Sequence, residues 1–85
     1  MVNLSVAKLY HNSIMNSNLS EKFAKKLKQI REQKKISKSQ LSINAGCDIS
    51  YIGQIERFKK IPTLKTIEKL ANALNVPVKD LFDFE

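Results

Sequence analysis

Between Lys38 and Arg57 the side chains able to do chemistry are hydrogen-bonding and cationic rather than nucleophilic. Ser50, Gln54 and Arg57 cluster on one side of a helical wheel, with Gly53 at the margin and Ile52 and Ile55 on the other side. Glu56 falls at the edge of the apolar side, so the polar side carries no acid. Such an array can hydrogen-bond to base edges or phosphates: glutamine pairs bidentately with adenine, and serine donates or accepts. Taken alone, it is equally the outer face of an ordinary amphipathic helix.

Catalytic chemistry finds no comparable set. Glu56 has no second acid, histidine or metal ligand for company, and there is no nucleophile–base pair or glycine-rich phosphate loop. Cys47 is the single cysteine, so no internal disulfide can form, and with His11 it falls short of a structural zinc site. The expectation is a protein with no enzymatic activity, no cofactor and no metal.

The charge is concentrated. Of the 15 Lys and Arg residues, eleven lie in residues 19–60 against Glu21, Glu32, Asp48 and Glu56, a local excess of +7. Residues 1–18 contribute +1 and residues 61–85 contribute −1. A basic block beside near-neutral flanks suits a one-sided patch for nucleic acid or an anionic membrane; it also suits a solvated lysine-rich face. No run approaches the roughly 18 apolar residues of a membrane span, and the N-terminus lacks a signal-like pattern. Together with the lone thiol, this predicts a cytoplasmic protein with no membrane partner.

The elements that must hold these residues read as all-α. Residues 1–18 lack a clean period and end in an Asn/Ser-rich run, which predicts a disordered or docking arm ahead of a domain over 19–85. Ser20 is the expected N-cap of a first helix reaching about Lys34, with Phe23, Ala24, Leu27 and Ile30 inward and Lys22, Lys25, Lys26 and Lys28 outward. Ser37-Lys38-Ser39-Gln40 is a capping-box pattern opening a short second helix. Gly46 supplies the turn, and Asp48 is the expected cap of a third helix over about Ile49 to Arg57. Pro62 and Thr63 open a fourth helix, with Leu64, Ile67, Leu70, Ala71 and Leu74 as its buried stripe and Asn75 and Pro77 as its stop. A fifth short helix holds Val78, Leu81 and Phe82. Two helices meeting steeply need a small residue at closest approach, and Ser42 is placed there. The second helix, the turn at Gly46 and the third helix match the pattern of a helix-turn-helix.

From about Phe23 to Phe82 the chain resembles the helix-turn-helix family of lambdoid phage repressors, Cro and related XRE-type bacterial regulators. The resemblance is carried by "FAKKLKQIREQKKIS", "SKSQLSINAG", "DISYIGQIE" and "IPTLKTIEKLANALNV". It implies a compact five-helix bundle that binds double-stranded DNA as a homodimer, with the third helix in the major groove of a pseudo-palindromic operator. It also implies a structural ion pair between Arg31 and Glu56, a backbone contact from Lys38, and base contacts from Ile49, Ser50 and Gln54. Ile49 stays divided between packing and a thymine methyl. Tyr51 is placed to reach a phosphate or to pack beside Phe58, and Arg57, Lys59 and Lys60 fall where the DNA backbone should pass.

Two positions depart from the family pattern. Lys35 and Phe58 stand where glycine often ends the first and third helices, so either the chain turns differently or the third helix runs on. The apolar tail suggests a dimer surface of Leu81, Phe82 and Phe84, with core closure the competing role for the first two. The function expected is a bacterial or phage-encoded transcriptional regulator, a repressor in the first instance. The alternatives are an antitoxin or restriction–modification controller working with a partner encoded nearby, and an interaction module that has lost DNA binding.

Overall fold

The structure, a computed structural model, describes residues 18–84. Among these residues four α-helices follow in chain order: α1 over Leu19–Gln33, α2 over Lys38–Asn44, α3 over Tyr51–Glu56 and α4 over Leu64–Leu74. A 3-10 helix over Val78–Phe82 closes the chain, so the expected fifth α-helix is this tighter turn. The arm expected over 1–18 lies, but for Asn18, outside the described residues.

One core serves every element. Phe23 and Leu27 of α1, Leu41 of α2, Ile52 and Ile55 of α3, and Leu70 of α4 are all buried in it. Leu81 enters from the closing turn with no exposed surface, which gives it to the core and removes it from any dimer surface. Phe82 lies against Phe23 with ring centroids 5.3 Å apart and against Phe84 at 6.0 Å. Lys22 turns its Nζ over the Phe84 ring at 5.9 Å instead of pointing freely outward.

The helix starts follow side-chain chemistry. Ser37 Oγ accepts from the Gln40 amide at 3.0 Å, and Thr63 Oγ1 accepts from the Thr66 amide at 3.1 Å. Each satisfies an amide that the first turn leaves without a partner. The reciprocal half of the expected capping box is missing, because the Gln40 side chain donates to Asn44 Oδ1 at 2.8 Å. Ser20 is no cap: α1 begins one residue earlier, after Asn18, which makes no side-chain capping bond.

All four helices end in one way. Lys35, Gly46, Phe58 and Asn75 each adopt a left-handed backbone, with φ of 58°, 74°, 63° and 60°. In each case two backbone bonds close the turn, as in Cys47 N–H to Ser42 C=O (2.8 Å) with Gly46 N–H to Ile43 C=O (2.9 Å). This is the Schellman ending, which satisfies carbonyls that the last turn leaves open. At α3 it runs from Lys59 N–H to Gln54 C=O (2.8 Å) and Phe58 N–H to Ile55 C=O (2.9 Å). The third helix therefore neither runs on nor turns differently; Phe58 takes the position glycine would take. The residue after the left-handed one is Ile36, Cys47 or Val76 at three ends, each packed on the core. At α3 it is Lys59, which is exposed.

Candidate nucleic-acid interface

Ser42 sets the relation of α2 to α3. Its fully buried hydroxyl donates to the Lys38 carbonyl and accepts from the Ile52 amide, both at 3.0 Å. The second bond satisfies an amide in the first turn of α3 and does so from the neighbouring helix. A larger side chain would separate the helices; alanine would leave the amide unpaired.

On the outer side, three residues form a hydrogen-bonded chain. Ser50 Oγ donates to Asp48 Oδ2 at 2.7 Å and accepts from Gln54 Nε2 at 3.1 Å. The Ser50 hydroxyl, and after it the Ser50 and Ile49 backbone amides, hold the Asp48 carboxyl below the usual aspartate range. Asp48 is thus no simple helix cap, since α3 starts three residues later and Ser50 occupies its N-cap position. Ile49 sits in the turn before the helix and is 58% exposed, so of its two expected roles packing into the core is the one it does not fill.

Lys38 and Arg57 converge over Gly53. A Cβ on Gly53 would stand 3.2 Å from Arg57 Nη1 and 3.9 Å from Lys38 Cδ. The missing side chain lets two cationic stems from α2 and from the end of α3 cross one spot on the surface. Lys59 and Lys60 follow, both exposed. Tyr51 is half-buried against the core, and no ring pair joins it to Phe58 among the described residues. At the same end of α3, Arg31 Nε donates to Glu56 Oε2 at 2.7 Å, which turns the acid inward.

Sequence reasoning assigns no role in the site to Asp48 or Gly53. A glycine inside a six-residue helix is the available signal for Gly53, because it weakens a helix unless something must approach closely. Asp48 offers no comparable signal beyond its place before the helix. No group of three or more potential metal ligands occurs among the described residues, and no helix there is long and apolar enough to cross a membrane.

Residues 27–81 match the sequence model of the helix-turn-helix family. Control protein C.BamHI of Bacillus amyloliquefaciens is 40% identical over 72 residues, covering 82% of this chain and 88% of that protein. The HTH-type transcriptional regulator SutR of Escherichia coli is 42% identical over 60 residues, 71% of this chain, but the chain spans only 34% of its length. Among solved structures, the restriction-modification controller protein C.AhdI from Aeromonas hydrophila is similar with a TM-score of 0.71 and 36% identity. That likeness covers 74% of this chain and 96% of C.AhdI.

Proposed function

The chain belongs to the helix-turn-helix family of transcriptional regulators, and on that premise we propose that it is a repressor reading a pseudo-palindromic operator in double-stranded DNA. The observation that carries this reading is the Ser42 clamp, which fixes α3 against α2 and leaves Ser50, Gln54 and Arg57 on its outer side, with Asp48 bonded to Ser50 at its start. Ser50 and Gln54 meet base edges in the major groove, with Ile49, exposed, available to a thymine methyl. Lys38, Arg57, Lys59, Lys60 and the Tyr51 hydroxyl hold the phosphates, and counterion release makes the affinity fall steeply with salt. The protein works without catalysis or cofactor, in the cytoplasm.

One α3 reads about half a turn of DNA, so two copies act together on half-sites about 34 Å apart. With Leu81 inside the core, the apolar surface for a second copy is Leu19, Ile61 and Leu64, the last two 73% and 81% exposed. Ile61 follows directly on Lys59 and Lys60, so a second copy docked on this patch lies next to the basic residues after α3.

A second reading within the same chemistry is a restriction–modification controller. It is favoured by the likeness to two such proteins, C.BamHI at 40% identity over 88% of its length and C.AhdI at 36% identity over 96% of its chain. Selection of binding sites from random duplex DNA tests the operator reading. The expected pool carries two related half-sites one helical turn apart; a pool no different from the input would refute operator binding.

A further inference from the structure

Serine has one hydroxyl proton, and an ionised carboxylate can only accept. The 2.7 Å contact from Ser50 Oγ to Asp48 Oδ2 lies in the charge-assisted range, so that proton is committed to Asp48. Towards Gln54 the serine oxygen is then an acceptor only. Gln54 meets it with an N–H, Nε2 at 3.1 Å. The amide is left with Oε1, which has no partner among the described residues, and one N–H. An acceptor beside a donor is the complement of adenine N7 and N6–H2.

We infer that Asp48 is a specificity-determining positioning residue: by taking the Ser50 proton it fixes which way round the Gln54 amide sits, and so makes Gln54 a reader of adenine. This rests on the reading of α3 as the base-contacting helix. Without Asp48, Ser50 is free to donate to Gln54 Oε1, and the amide turns over. It then offers only N–H donors outward, which match the O6 and N7 acceptors of guanine. Asp48 needs no contact with DNA to have this effect.

The test has two arms. In the free protein, nitrogen relaxation of the Gln54 side-chain amide should show a restrained group in the parent and a mobile one in Ser50→Ala, which removes its partner. In site selection, the base pair read by Gln54 is the one whose preference disappears in Gln54→Ala. At that pair the parent should enrich adenine. Asp48→Ala should lower the adenine-to-guanine ratio about tenfold or more, the scale of one bidentate pair. Asp48→Asn is nearly isosteric, but its amide can turn to donate to Ser50, so it should restore only part of the preference, whereas a merely steric role would be restored in full. A Gln54 amide equally mobile in parent and Ser50→Ala overturns the role of Asp48 alone. So does an adenine preference that stays intact in Asp48→Ala. A parent that enriches no sequence overturns the operator reading, and the adenine assignment with it.

Discussion

Arg31 and Glu56 form a two-pronged ion pair, Nε to Oε2 at 2.7 Å and Nη2 to Oε1 at 3.1 Å, with their side chains only 8% and 5% exposed. The third nitrogen, Nη1, donates to the Ile36 carbonyl at 2.8 Å. One guanidinium thus ties together the end of α1, the turn that follows it and the end of α3. The planar fork of arginine makes this possible; a lysine could not make the two parallel bonds.

Arg31→Met should therefore destabilise the fold by about 3–5 kcal/mol, because Glu56 is left buried and unpaired. Chemical denaturation measures this directly. The double variant Arg31→Met, Glu56→Leu should regain much of the loss, since apolar groups of similar volume often replace a buried pair without cost. A single variant as stable as the parent would show that the pair contributes nothing to stability.

Period and capping chemistry make the helices legible in the sequence, and Ser37, Thr63, Gly46 and Asn75 mark ends that the structure places as read. Leu64 shows where spacing ceases to inform. It fits the apolar stripe of α4 by period, yet it is the first residue of that helix, beyond the reach of the core, and is 81% exposed. Ile49 stays undecided in the sequence for the same kind of reason, since a helical wheel does not describe a turn. The contact of Arg31 with Glu56 spans 25 residues, and no local pattern encodes it; only family resemblance suggests it. The chain from Asp48 through Ser50 to Gln54 depends on side-chain rotamers, which spacing alone does not fix.

The shared helix ending predicts opposite effects at two positions. Gly46→Ala should destabilise by about 1–2 kcal/mol from the left-handed backbone alone, because no atom lies within 4 Å of the added Cβ. Phe58→Gly should stabilise by up to about 1 kcal/mol, as relief of the same strain exceeds the extra freedom of glycine in the unfolded chain. Thermal melts of the two variants check both signs.

Two site variants separate reading from gripping. Gln54→Ala should cost about 1–3 kcal/mol on the selected operator and relax one base pair, with little change on random DNA. Lys38→Ala should weaken all sequences alike and flatten the salt dependence by about one phosphate contact. Equal losses on operator and random DNA for Gln54→Ala would exclude it from base reading. An unchanged salt slope would do the same for Lys38 and the backbone.

Asp48 gives the fold a dependence on acidity whose sign is fixed. Its carboxyl is lowered by the Ser50 hydroxyl bond, so the folded state favours the ionised form. That stabilisation is fully present above the ordinary aspartate value. It is lost as pH falls through the folded value. Melting temperatures across acidic pH should fall more steeply for the parent than for Asp48→Ala, and the two curves should approach one another at the acid end. Parallel curves would show that the contact contributes nothing in solution.

The exposed patch of Leu19, Ile61 and Leu64 can be tested apart from DNA. Leu64→Glu adds a charge at a position that touches no core residue closely enough to be buried, so the stability of the monomer should stay within about 0.5 kcal/mol of the parent's. Sedimentation should show the parent shifting to a dimer as its concentration rises, and the variant remaining a monomer. Phe84→Ala, on the tail, should leave the dimer intact. The Leu64→Glu protein should also lose the preference for two half-sites over one, because each copy then binds alone. A Leu64→Glu protein that still dimerises, paired with a Phe84→Ala protein that does not, would return the interface to the C-terminal tail.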